Sequence, residues 1–158
     1  MKKTLCAIIV FLVGCSPSPP ENEEIQSWFE NQYSSLIELA ELGIKYKALR
    51  RAEPSLKEYT KYYGQPSEAD LKAEARVFEI VEKLEIDFVA YWRNGLENNE
   101  VLHSMSVPYY RWGLALGGYS KSIVYFPEYT SETKPPSDYS TYIYLNKQGW
   151  FIDVSDTR

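Results

Sequence analysis

The chain reads as an α+β domain, with two long N-terminal helices and a short one packed on a C-terminal antiparallel meander of about four strands. Three observations predict this. Apolar residues recur at three- and four-residue steps through 25–40 and again through 71–92, the repeat of one helix face. From Tyr109 the repeat falls to two, that of a half-buried strand. Two turn signals, Leu116-Gly117-Gly118-Tyr119 and Asn146-Lys147-Gln148-Gly149, divide this second half into hairpins. A run of helices followed by a run of strands is the α+β order.

The first helix begins near Glu23. Ile25, Trp28, Phe29, Tyr33, Leu36, Ile37 and Ala40 form its apolar face, Gly43 is a weak point, and Pro54 obliges it to stop by Glu53. Ser55-Leu56-Lys57-Glu58 has the capping-box pattern and predicts a short helix ending at Gly64. Ser67-Glu68-Ala69-Asp70 opens a third, longer helix. Its stripe is Leu71, Ala75, Phe78, Val81, Leu84, Phe88, Tyr91 and Trp92, and Asn94-Gly95 closes it. Residues 96–107 read as a helical turn and a loop. Pairing outward from the first hairpin turn sets Leu116 beside Tyr119, Trp112 beside Ile123 and Tyr110 beside Tyr125. The second turn sets Leu145 beside Trp150, Ile143 beside Ile152 and Thr141 beside Val154. Between the hairpins, 127–138 is a long loop containing prolines.

The N-terminus carries the most specific motif. Met1-Lys2-Lys3 is followed by an apolar run from Leu5 to Val13, then Gly14-Cys15, then the segment Ser16-Pro-Ser-Pro-Pro-Glu-Asn-Glu-Glu24. Nine apolar residues are too few for a membrane-spanning helix, which needs about 20. A basic start and a short apolar run make a secretory signal. Leu12-Val13-Gly14-Cys15 resembles the lipobox of bacterial lipoproteins, although Val13 stands where that family more often has a small residue. The alternative is a plain signal peptide with an incidental cysteine. The resemblance covers the first sixteen residues. It implies a diacylglyceryl thioether on Cys15, cleavage between Gly14 and Cys15, and acylation of the new amino group. It divides the chain into a cleaved signal (1–14), a lipidated tether (15–24) and one globular domain (25–158). Two or three acyl chains on one cysteine anchor durably, since each buried methylene contributes about 0.8 kcal/mol. The partner so implied is the lipid bilayer. Ser16, rather than an aspartate, points to the periplasmic side of the outer membrane, or to the outer face of the plasma membrane in a Gram-positive cell.

Without its first 14 residues the 158-residue chain keeps 144, enough for one domain. Lys2 and Lys3 leave with the signal, so 15 of the 17 basic residues face all 22 acidic ones, a net charge of −7 with His103 neutral. That balance argues against nucleic acid as a partner. Cys6 also leaves, and Cys15 is the remaining cysteine, so a disulfide or a thiol nucleophile has no material. With one histidine, His103, neither a catalytic triad nor a histidine-based zinc site has its parts. No phosphate-binding glycine loop and no calcium-binding spacing occurs. No catalytic residue, cofactor or metal is therefore assigned. Carboxylates are plentiful, but their spacing singles out no pair, and most fall on polar helix faces.

Four tryptophans and fourteen tyrosines exceed what a core of this size needs. The register puts Tyr110, Trp112, Ile123, Ile143, Leu145, Trp150 and Ile152 on the face toward the helices. The opposite face then carries Tyr109, Arg111, Phe126, Tyr142, Tyr144 and Phe151, a candidate binding face. Aromatics with an arginine suit interface hot spots, or stacking on envelope sugars. Covering by a helix or by the 127–138 loop would instead make it a second core. The leading function is a membrane-anchored periplasmic lipoprotein acting as a non-enzymatic protein-binding module. Its partner is an envelope protein, and one version is an inhibitor or immunity-type protein steered to basic targets by its acidity. The alternatives are a structural or assembly component of an outer-membrane complex, and a cell-wall hydrolase using paired carboxylates.

Overall fold

The computed structural model describes residues 18–53, 66–95, 100–114, 117–133, 135 and 140–156. Two helices, α1 (Asn22–Lys45) and α2 (Glu68–Lys83), accompany six strands. These are β1 (Arg51–Ala52), β2 (Val89–Asn94), β3 (Val101–Leu114), β4 (Gly117–Tyr125), β5 (Ser140–Tyr144) and β6 (Trp150–Asp156). They form one antiparallel sheet in the order β1-β2-β3-β4-β6-β5. This corrects the expected meander of about four strands: the sheet has six, and the fold is α+β with two helices among the described residues. The expected short helix over 55–64 and the turn at 96–99 fall outside those residues.

The largest correction concerns residues 84–95, read from sequence as the end of a helix. α2 stops at Lys83, and Val89–Asn94 is a strand. Leu84 is the C-cap and Glu85 takes φ 54°. Glu85 N–H donates to Glu82 O, and Ile86 N–H to Val81 O, the paired bonds of a Schellman ending. Glycine usually fills that left-handed position, and here glutamate does, so the stop is not marked in the sequence. Val89, Ala90 and Tyr91 are all buried, so both faces of β2 are apolar at that point and the run imitates a helix stripe. The start of α2 is as expected: Ser67 and Asp70 exchange side-chain-to-backbone bonds in a capping box.

The second hairpin pairs as its turn predicts, with Thr141 opposite Val154 and Ile143 opposite Ile152. Asn146 (φ 57°) and Gly149 (φ 80°) supply the left-handed turn. The first hairpin does not. Leu114 faces Gly117, Trp112 faces Tyr119 and Tyr110 faces Lys121, a slip of four residues from the expected register. An even slip leaves every side chain on its face, so alternation alone cannot detect it. A bulge between Pro108 and Tyr110 adds a second irregularity.

Both helices lie on one face of the sheet. Ile25, Phe29, Leu36, Leu39 and Ala40 of α1 and Val77, Ile80 and Val81 of α2 pack on Val89, Tyr91, Met105, Val107, Ile123, Trp150 and Ile152. Trp112, expected in this core, is 46% exposed at the far end of β3. Gly43 sits against the Tyr91 ring, and the Tyr91 hydroxyl donates to Leu39 O at 3.1 Å. This contact seats the C-terminal turn of α1 on β2. At the other end, Lys121 Nζ donates to Pro20 O (2.7 Å) and Asn22 Oδ1 (2.8 Å), fixing the chain where it enters the domain.

Candidate binding site

The six residues of the expected binding face do not stay together. Phe126 and Phe151 are buried with Val124 in a small second core on the outer face of the sheet, with Phe151 wholly inaccessible. Tyr129, Tyr142 and Tyr144 pack against it, half-buried, with ring centroids 5.6 Å apart for Phe126–Tyr129 and Phe126–Tyr142. His103 stacks edge-on against Phe126 at 5.7 Å, which accounts for the single histidine structurally. Tyr109 lies at the β3 bulge and turns to the helix side. There its ring meets Trp28 at 5.4 Å, and its hydroxyl donates to Glu24 Oε1 at 3.3 Å. Burial, and then the Glu24 carboxylate, push its phenol up. Arg111 remains on the outer face, exposed, with its guanidinium 5.6 Å from the Phe88 ring. Arg51 covers the same ring at 3.7 Å. Gly14 and Cys15 lie outside the described residues.

The structure gathers a different set at the β1–β2 edge. A cleft of about 390 Å³ is lined by Arg50, Arg51, Ala90, Tyr91, Trp92, Arg93 and Glu100. That volume lies at the small end of the range for ligand sites. Trp92 belongs to the outer face and is 61% exposed, the most open large apolar side chain described. Arg93 comes after a break in the β2–β3 register and reaches under the helices. Its Nη2 donates to Gly43 O (2.5 Å) and Tyr46 O (2.8 Å), closing the C-terminus of α1, where the helix dipole favours a cation. Arg93 Nε and Nη1 are buried and have no hydrogen-bond partner among the described residues. Orphaned buried donors cost about 1–3 kcal/mol, more when charged, so a native structure that keeps them needs a reason. Burial first, and then the neighbouring Arg50, pull the Arg93 pKa down, while Glu100 and Tyr91 oppose this. Arg50 is ion-paired to Glu100 at 2.6 Å and Arg51 to Glu53 at 2.6 Å. Arg93 is thus the cation in the cleft with spare donors.

No family model, no curated protein and no solved structure matches this chain. Its chemistry must be read from its own residues.

Two poles can be distinguished along α1. Pro20 and Asn22 are held at its N-terminal end by Lys121, and Gly43 and Tyr46 are capped at its C-terminal end by Arg93. At 1.5 Å per residue, the 24 residues of α1 separate these ends by about 36 Å.

The cleft holds one carboxylate, Glu100, already paired. A smaller hollow of about 140 Å³ between Trp28 and Tyr109 has Glu85 and Asp87 at its rim, both exposed. Arg76, hydrogen-bonded to Glu38, holds that carboxyl below its usual range, the opposite of what a general acid needs. Among the described residues, no group of three His, Cys, Asp or Glu side chains is placed to hold a metal ion. No described helix is long and apolar enough to cross a membrane.

Sequence reasoning missed Trp92, Arg93 and Glu100 because it assigned the first two to a helix.

Proposed function

We propose that this protein is a lipid-tethered, non-enzymatic binding module of the bacterial envelope, and that its partner polypeptide docks at the β1–β2 edge. The observation that carries the reading is the opposition of the two poles. The lipobox cysteine, Cys15, precedes Pro20 by five residues, at most about 18 Å of extended chain. The Trp92–Arg93 cleft closes the other end of α1. A domain held by its N-terminus therefore presents this cleft away from the bilayer, toward the periplasm or the exterior. Exposed tryptophan flanked by arginines is the composition of an interface hot spot.

The aromatic cluster on the outer face contributes differently from what the sequence suggests. Phe126 and Phe151 pack into a second core on the β4–β6 half of the sheet, away from the cleft, and a rigid scaffold loses less conformational entropy on binding. An inhibitor or immunity-type role is the version of this reading that such rigidity suits.

Metabolic labelling with an alkyne fatty acid tests the anchor: label and membrane fractionation are expected for the parent and lost in Cys15→Ala. Affinity capture of the lipidated chain from crosslinked envelopes tests the docking surface. One stoichiometric partner is expected, and Trp92→Ala should lower its recovery at least tenfold. Equal recovery with Trp92→Ala would remove the cleft from the interface.

A further inference from the structure

We infer that the β1–β2 cleft recognises a carboxylate side chain of the partner polypeptide, received by Arg93, with the residue next to it packed on Trp92. The inference rests on the docking reading above and adds the chemistry of the occupant. Three observations carry it. Arg93 has two buried donors without partners, Nε and Nη1, while its Nη2 is fixed on Gly43 O and Tyr46 O. The guanidinium is thus held in place by one nitrogen and unspent at the other two, a preorganised acceptor site for an anion. Each of the other two arginines already has a carboxylate, Arg50 with Glu100 and Arg51 with Glu53, which leaves one positive charge unmatched among these groups. One unmatched charge fits a carboxylate better than a phosphate dianion. The Arg50–Glu100 pair lines the same cleft and is 22% exposed on each side, so on this inference binding displaces it to reach the buried Arg93 donors.

The position of the cleft selects the source of the anion. It lies about 36 Å along α1 from the end that follows the tether, which favours a partner other than the headgroups of the anchoring bilayer. Trp92, at 61% exposure, offers an aromatic surface that a free inorganic anion would leave unused. An acidic residue followed by an aromatic or aliphatic one uses both features.

The test uses the full lipidated chain in detergent micelles and four probes. These are a blocked Gly-Glu-Tyr tripeptide, its Gly-Gln-Tyr counterpart, inorganic phosphate, and phosphatidylglycerol vesicles. The readouts are the Arg93 Nε–H resonance and tryptophan fluorescence. The glutamate peptide is expected to shift the Nε–H resonance saturably, and the glutamine peptide to bind at least tenfold more weakly. Glu100→Gln should tighten binding of the glutamate peptide several-fold by removing a like charge from the cleft lining. Arg93→Lys should abolish the selectivity for glutamate over glutamine. Since that substitution also disturbs the cap of α1, the comparison of the two peptides on the parent chain decides independently of it. Equal binding of the two peptides would overturn the inference. So would phosphate or vesicles shifting the resonance as strongly as the glutamate peptide. If a partner is captured at Trp92 yet the peptides are not distinguished, the docking reading stands and the carboxylate inference falls.

Discussion

Gly43→Ala offers a sharp test of how α1 is seated. In an exposed helix interior the change should stabilise by about 1 kcal/mol, because alanine loses less backbone entropy. Here an alanine Cβ would lie far inside van der Waals contact with Cδ1 and Cε1 of Tyr91. That ring cannot easily give way. It is 3% exposed, and its hydroxyl is tied to Leu39 O on the same helix. Overpacking of this kind costs about 1–3 kcal/mol, and moving the ring would also forfeit a hydrogen bond worth about 1 kcal/mol. The overpacking and the lost bond outweigh the propensity gain, for an expected net loss of about 1–3 kcal/mol. In a domain near 150 residues this lowers the melting midpoint by roughly 3–9 °C. Urea and thermal denaturation of the parent, Gly43→Ala, Tyr91→Leu and the double variant measure it. In the Tyr91→Leu background the alanine should become neutral or stabilising, a coupling that isolates the ring contact. A Gly43→Ala protein as stable as the parent, with no coupling to Tyr91, would refute the packing described.

Other outcomes follow from the same contacts. Glu85→Gly, at φ 54°, should stabilise by about 1 kcal/mol in urea denaturation, since glycine adopts the left-handed conformation without penalty. Lys121→Met keeps the apolar stem but removes the bonds to Pro20 O and Asn22 Oδ1. It should cost about 1–3 kcal/mol and expose the entry to α1 to limited proteolysis. Burial raises the phenols of Tyr91, Tyr109 and Tyr125, helped by Glu24 at Tyr109 and by Tyr33 and Glu41 at Tyr125. The unfolded chain ionises these groups first, so stability should hold up to the ordinary phenol value of 10.0 and fall as pH rises beyond it. Denaturation followed against pH should show a shallower alkaline decline in Tyr91→Phe than in the parent.

How much of this was legible depended on where each conformational signal resides. The β5–β6 hairpin could be read to the residue because Asn146 and Gly149, which adopt positive φ, are residue types that advertise it. The end of α2 could not, because its left-handed residue is a glutamate. The strand that follows is buried on both faces at Val89–Tyr91, so it carried no alternation. The first hairpin is displaced by four residues over Tyr110–Leu114, a slip that preserves faces there and so leaves no trace in the alternation, and the bulge between Pro108 and Tyr110 shifts the pairing by one residue more. The site was hidden for a further reason. Arg93 acquires its role from carbonyls 50 and 47 residues away, a closure that only tertiary packing makes. Of the six aromatic and arginine positions expected to form one face, the bulge carried Tyr109 to the helix side, and the second core absorbed Phe126 and Phe151. The N-terminal signal, by contrast, is linear, and its reading needs no fold.

Site-directed photocrosslinking in intact cells tests the central claim most directly. A photoreactive residue at Val101, exposed beside Glu100 at the cleft and leaving Trp92 in place, is compared with one at Leu71, exposed on α2. A single crosslinked envelope protein from position 101, absent from position 71, is the expected result. No product from position 101, or the same product from both positions, would contradict the assignment of the β1–β2 edge as the docking surface.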